Sequence, residues 1–153
     1  MPITIRSATA ADIPFLVECN AAMALETEHK TLDRDVLARG TQAVFEDTRR
    51  GFYLVAKRDG EPAGCLLVTR EWSDWRCGDW WWIQSVYVVS AHRRHGVFRA
   101  LYAEVEHRAR AADAVGLRLY VESGNLRAQQ TYFSLGMEEE AYKMLRRGFT
   151  RFD

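Results

Sequence analysis

At 153 residues the chain has the length of one domain, enough to bury a core and too short for a multidomain machine. An apolar fraction of 48% and a charged fraction of 27%, with 3 Pro and 10 Gly, exclude disordered, collagenous and low-complexity sequence. Lys plus Arg and Asp plus Glu number 21 each, so the formal charge is zero and no global basic field exists for nucleic acid or an anionic membrane; a polyanion must be held by local groups. Cys19, Cys65 and Cys77 are odd in number and lack CxxC spacing, which argues against a disulfide framework or a metal site and fits the reducing cytoplasm. No run approaches the ~18 apolar residues of a membrane span, and the first ten residues carry no basic start before an apolar stretch, so neither a span nor a signal peptide is expected.

Ile3 and Ile5 alternate with polar neighbours, the period of a short strand. Thr9-Ala-Ala-Asp12 predicts a helix start of capping-box type with Asp in place of Glu. Ile13, Leu16, Val17, Ala21, Ala24 and Leu25 give that helix one buried stripe ending at about Leu25, and the polar residues 26–31 predict a loop. Leu32, Val36, Leu37, Val44 and Phe45 predict a second helix, shortened or broken near Gly40. Residues 52–57 and 63–69 flank Asp59-Gly60, whose tolerance of positive φ predicts a tight hairpin. Residues 71–79 mix tryptophans with charges, and residues 80–89 read as a long strand. The clearest helix covers residues 97–112, with Phe98, Leu101, Val105, Ala109 and Ala112 on one face. Residues 117–121 suit a short strand, Asn125 an N-cap, and Ala128, Tyr132 and Leu135 one face of a helix closed by Gly136. Residues 141–145 predict a last strand. The expected architecture is a single mixed α/β domain over residues 1–153, in the order strand, two helices, three strands, helix, strand, helix, strand.

Chemistry concentrates in residues 86–99, Val-Tyr-Val-Val-Ser-Ala-His-Arg-Arg-His-Gly-Val-Phe-Arg: a strand, a basic turn with one glycine, then a helix start. The first N–H groups of a helix lack intrahelical partners and carry the positive end of its dipole, so they can hold a diphosphate. Gly96 permits close backbone approach, and Arg93, Arg94 and Arg99 add charge. By itself this pattern equally suits a solvated basic turn.

The wider pattern resembles the GNAT superfamily of acyl-CoA-dependent N-acetyltransferases over nearly the whole chain. The family loop Gln/Arg-x-x-Gly-x-Gly/Ala is matched by Arg93-Arg94-His95-Gly96-Val97 and departs at Phe98, whose ring either tilts the helix start away or packs beneath the diphosphate. Asn125-Leu-Arg-Ala128-Gln-Gln-Thr-Tyr132-Phe-Ser-Leu-Gly136-Met137 is similar to the family's Asn-x-x-Ala-x-x-x-Tyr-x-x-x-Gly-Phe, with Met137 for Phe. The resemblance implies the GNAT fold: a mixed, largely antiparallel, splayed central sheet flanked by helices. It implies that acetyl-CoA enters the splay as co-substrate with no metal, bonding the strand at Val86, Tyr87 and Val88 and the loop at Arg93, Arg94, His95, Gly96, Val97, Phe98 and Arg99. A backbone N–H on that strand would polarise the thioester. By the same analogy Asn125 contacts the cofactor or simply caps its helix, and Tyr132 either protonates the departing thiolate or is a core aromatic.

The acceptor must be a neutral amine, and deprotonating a lysine-like amine costs about 4 to 5 kcal/mol at pH 7, so a base or a water chain is expected. Several family members carry Glu where this chain has Gln84, within Ile83-Gln84-Ser85-Val86-Tyr87-Val88. Gln84 accepts no proton at neutral pH, although Gln84 and Ser85 can orient water. Glu26 and Glu28 stand where the family builds its acceptor pocket; they either bind a cationic amine, with Glu28 or His29 relaying its proton, or form a solvated loop. Glu71, Asp74 and Asp79 interleave with Trp72, Trp75, Trp80, Trp81 and Trp82, a set that either cages an ammonium, with Trp82 as substrate contact, or packs the core on one face and a homodimer interface on the other. The expectation is an N-acetyltransferase acting on a primary amine of a small molecule by direct attack. Peptide or protein acceptors, or a silent acyl-CoA-binding module, are the alternatives.

Overall fold

The computed structural model describes residues 2–150. Asp59 and Gly60 both take positive φ, 54° and 76°, as a two-residue hairpin turn requires. They join β2 (Phe52–Arg58) to β3 (Glu61–Ser73). β1 (Ile3–Ser7) pairs antiparallel with β2, β3 pairs antiparallel with β4 (Gly78–Val88), and β5 (Gly116–Arg118) adds in parallel to β4, giving one sheet in the order β1-β2-β3-β4-β5.

Tyr53, Leu54, Val55 and Ala56 are all buried, so both faces of β2 must be covered. The covers are set by adjacent residues of β3. Cys65 packs with Leu16 and Cys19 of α1 (Ile13–Glu28), together with Tyr53 and Val55, while Val44 and Phe45 of α2 (Arg34–Glu46) pack against the same cluster. On the opposite face a Cβ added to Gly64 would lie 3.2 Å from Val97, the first residue of α3 (Val97–Ala111). The sheet therefore lies between α1 and α2 on one side and α3 on the other, with Val97, Leu101, Tyr102, Val105 and Ala109 buried. Ala112, expected on that stripe, falls just beyond the helix and is exposed, because α3 ends one residue earlier.

The helix starts and stops differ from the sequence expectation in instructive ways. Asp12 accepts the Thr9 N–H at 2.8 Å, but the turn it closes is a single 3-10 turn (Ala10–Asp12), and α1 begins at Ile13. Rather than ending near Leu25, α1 runs to Glu28, and His29 closes it with φ 55°. Glu26 and Glu28 thus sit on its last turn, not in a loop. Glu is a good helix former, and a tertiary partner for Glu26 holds a turn that no apolar stripe announces. α2 passes unbroken through Gly40, since Asp33 caps it by accepting the N–H groups of Asp35 and Val36 at 2.9 and 3.1 Å.

Residues 71–79, which mix tryptophans with charges, are mostly strand: Glu71 pairs with Trp80 and Trp72 with Asp79, leaving residues 74–77 as the tip. Trp81 is buried and meets Phe52 edge-on at 5.4 Å. Alternation puts Trp80 on the other face, where the guanidinium carbons of Arg118 and Arg76 lie 4.0 and 5.1 Å from its ring.

The chain divides between Leu119 and Tyr120 into two compact units. In the second, Asn125 accepts the Ala128 N–H at 3.2 Å and caps α4 (Leu126–Ser134). Gly136, at φ 96°, ends it: Gly136 N–H donates to Phe133 O at 3.0 Å and Met137 N–H to Tyr132 O at 3.1 Å, a Schellman closure. The mixed α/β class is as expected, with five strands instead of six. Residues 141–145 are exposed and form no strand, and the strand expected over residues 117–121 is reduced to Gly116–Arg118. A strand exists only where a neighbouring backbone accepts its hydrogen bonds, and β4 offers β5 only Trp80, Trp81 and Trp82.

Candidate functional site

Beyond that pairing β4 carries a bulge. Cys65 pairs with Tyr87 and Leu67 with Gln84, so Ser85 and Val86 together oppose Leu66, and Ser85 takes φ 51°. A bulge bends its strand and sharpens the twist. Past it, β4 follows β3 while, among the described residues, no strand pairs with its other edge. Val89 N–H donates to Ala63 O at 2.8 Å, which fixes the alternation: Tyr87 bonds toward β3, and the backbone groups of Val86 and Val88 point to the open edge.

The chain leaves that edge through a 3-10 turn (Ser90–His92) and a loop in which Arg94 and Gly96 have φ of 67° and 85°. Buried His92 fastens the turn: Arg58 Nη1 donates to His92 Nδ1 at 3.3 Å, and Glu61 lies 3.5 Å from Nε2. A Cβ on Gly96 would meet nothing within 4 Å, so the positive φ, not crowding, favours glycine there, and the space before the first turn of α3 is open. Val97 is buried as the helix anchor, whereas Arg94, His95 and Arg99 are exposed. Among the described residues no carboxylate forms an ion pair with Arg94 or His95. Open space, helix N–H groups and exposed cations fit a diphosphate. Phe98 is half-buried, its ring 6.1 Å from that of Tyr102, so it packs along α3.

Arg93 is placed differently. Its Nη2 donates to Glu26 Oε1 at 2.7 Å, its Nε donates to Val88 O at 3.0 Å, and its guanidinium carbon stands 5.4 Å from the Tyr87 ring centroid. Tyr87 Oη donates to the other oxygen of Glu26. The Tyr87 and Arg93 hydrogen bonds hold the Glu26 carboxyl below the usual carboxylate range. Burial, then the adjacent Glu26 carboxylate, pushes the Tyr87 phenol up to about 12. Glu26 therefore stays ionised and Tyr87 protonated across the neutral range.

Of the other expected site residues, Glu28 is exposed and lies 3.5 Å from Lys30 Nζ. Gln84 donates from Nε2 to Thr69 Oγ1, and Trp82 Nε1 donates to Glu71 at 2.8 Å. Asn125 and Tyr132 belong to the second unit: Asn125 is the helix cap, and burial pushes the Tyr132 phenol up. Sequence reasoning missed the Ser85 bulge, the His92 anchor and the Gly64 seat for Val97. Only Gly64 left a signal, as a glycine inside a strand pattern. Among the described residues no three His, Cys, Asp or Glu side chains gather as a metal site would need, and no helix is long and apolar enough to cross a membrane.

An open sheet, five-stranded among the described residues, with helices on both faces and an exposed basic loop after a bulged fourth strand fits the fold that the family resemblance implies. The sequence profile of the Acetyltransferase (GNAT) family matches residues 19–137, and the chain belongs to that family. No curated protein matches it. Among solved structures, a possible acetyltransferase from Clostridium difficile 630 is 39% identical, with TM-score 0.90 over 99% of this chain and 100% of its own. The ribosomal-protein-alanine N-acetyltransferase of Brucella melitensis biovar Abortus 2308 (16% identity, TM-score 0.78, 96% and 99% covered) shares the fold. So does the glucosamine-6-phosphate N-acetyltransferase of Arabidopsis thaliana (16%, 0.75, 96% and 99%). Those two names carry acceptors of different classes at the same level of likeness.

Proposed function

We propose that this chain is one acetyltransferase domain that moves acetyl from acetyl-CoA to a primary amine of a small molecule by direct attack in a ternary complex. The observation that carries the reading is the open edge of β4 at Val86 and Val88, leading directly into the loop and the first turn of α3. The outward N–H and C=O of Val86 and the N–H of Val88, whose carbonyl accepts Arg93 Nε, suit the amides of a pantetheine arm, and the N–H groups of Gly96, Val97, Phe98 and Arg99, with the Arg94 and His95 side chains, suit its diphosphate. Bound acetyl-CoA supplies the thioester carbon as electrophile. The amine nitrogen bonds to that carbon, an outward N–H of β4 steadies the oxyanion, and the C–S bond breaks as the thiolate takes a proton, the donor role that the family resemblance gives to Tyr132. The proton lost by the amine leaves through water toward Glu28. With no net charge on the chain and Glu28 exposed on the last turn of α1, a cationic small amine suits the site better than an anionic acceptor.

Release of free CoA thiol with a panel of small amines, peptide N-termini and lysine peptides tests this. We expect release that depends on a small amine, and Tyr132→Phe to lower kcat roughly 10²-fold or more with acetyl-CoA affinity unchanged. Wild-type protein that binds acetyl-CoA yet releases no thiol with any acceptor would make it a binding module.

A further inference from the structure

We infer that Glu26 is a positioning residue for the loop of residues 89–96, acting through the Arg93 guanidinium, so that Arg93 shapes the loop while Arg94 and His95 face the anion. This rests on the acetyl-CoA reading above and deepens it. One side chain, Arg93, ties the loop to two elements: its Nη2 to Glu26 on the last turn of α1 at 2.7 Å, and to β4 its Nε to the outward carbonyl of Val88 at 3.0 Å and its guanidinium carbon over the ring of Tyr87 at 5.4 Å. Tyr87 Oη closes the circuit on the second Glu26 oxygen. Of the five N–H donors of Arg93, the Nε–H goes to a strand carbonyl and one on Nη2 to a carboxylate, so the guanidinium is fixed in place and turned toward Glu26. Glu26 also cancels the charge of Arg93, whereas Arg94 and His95 have no ion-pair partner among the described residues. With His92 fastened to Arg58 and Glu61, the loop is clamped from both sides before any ligand arrives. Such preorganisation acts on affinity more than on the chemical step.

Calorimetry of acetyl-CoA binding at two salt concentrations, on wild type, Glu26→Gln, Arg93→Ala, the double variant and Arg94→Ala, tests this, with thermal melts to verify folding. We expect Glu26→Gln and Arg93→Ala each to weaken binding roughly tenfold, and the double variant to bind no worse than Arg93→Ala, as for residues acting in series. The acetyl-CoA KM should rise with kcat at saturation held within about twofold. Arg94→Ala should flatten the salt dependence and Arg93→Ala should leave it as in wild type. Additive losses, or a flattened salt dependence in Arg93→Ala, overturn the inference, as does wild-type affinity in Glu26→Gln. Amide exchange of the ligand-free proteins separates this from the parent reading: if wild type binds no acetyl-CoA the function falls, and exchange over residues 89–99 that is equally slow in all five proteins sinks the positioning role independently.

Discussion

At the scale of single residues, Gly96 and Asp12 show two different ways in which one side chain matters. Gly96 holds φ 85° with open space where a Cβ would be. Gly96→Ala should therefore cost only about 1 kcal/mol of backbone strain and retain measurable CoA binding. Gly96→Glu sets a carboxylate against the proposed diphosphate site, and calorimetry should find binding abolished. Intact binding by the Glu variant would move the anion elsewhere. Asp12 receives two hydrogen bonds from Arg6, at 2.7 and 2.8 Å, and those bonds, ahead of the Thr9 N–H, lower its carboxyl from the ordinary value. A depressed folded-state carboxyl contributes stability that is present above the unfolded value near 4 and is lost as pH falls through the folded one. Because Arg6 is partly exposed, Asp12→Asn should lower stability by about 1 kcal/mol at pH 7 and by almost nothing near pH 2. Urea titrations at the two pH values check the sign.

Among the elements, the joint between β3 and α3 decides where the loop of residues 89–96 stands. A Cβ at Gly64 would sit 2.8 Å from the carbonyl oxygen of Tyr87 and 3.2 Å from Val97 Cγ1. The first contact is backbone in a paired strand and cannot yield without disturbing β4. Gly64→Ala should destabilise by about 1 to 3 kcal/mol in chemical denaturation and weaken acetyl-CoA binding as well, since the same shift moves Val97 and the helix start. Unchanged stability would mean that α3 rides on the sheet more loosely than this packing implies. The elements with strong local codes were readable in advance: Asp59-Gly60 names its turn, and the stripe of α3 names its helix. The last turn of α1 was not, because what holds it is Glu26 meeting Tyr87, sixty-one positions away, and Arg93, sixty-seven away. Residues 141–145 erred in the opposite direction, since apolar alternation supplies a strand's side chains and not its partner.

For the whole molecule, ligand linkage is the plainest readout. Acetyl-CoA at about one hundred times its Kd adds roughly 2.7 kcal/mol to folding, which for a chain of this length raises Tm by roughly 8 °C. A thermal-shift series with acetyl-CoA, CoA and ATP should show the first two shifting Tm alike and ATP much less; no shift with either CoA species removes the co-substrate from the account. The choice of acceptor lies beyond the fold at this scale, because chains as different as the ribosomal-protein and glucosamine-phosphate enzymes share it.

From its residues alone the chain determined its fold class, its principal helices and hairpins, the glycine turn that opens α3 at Gly96 and its family, because each rests on local periodicity, turn chemistry or a short motif. Only the tertiary structure decided that Ser85 bulges, that the β4 edge opens at Val86 and Val88, and that Glu26 pairs with Arg93. Those features arise where distant segments compete for the same hydrogen bonds, and that competition is settled by packing.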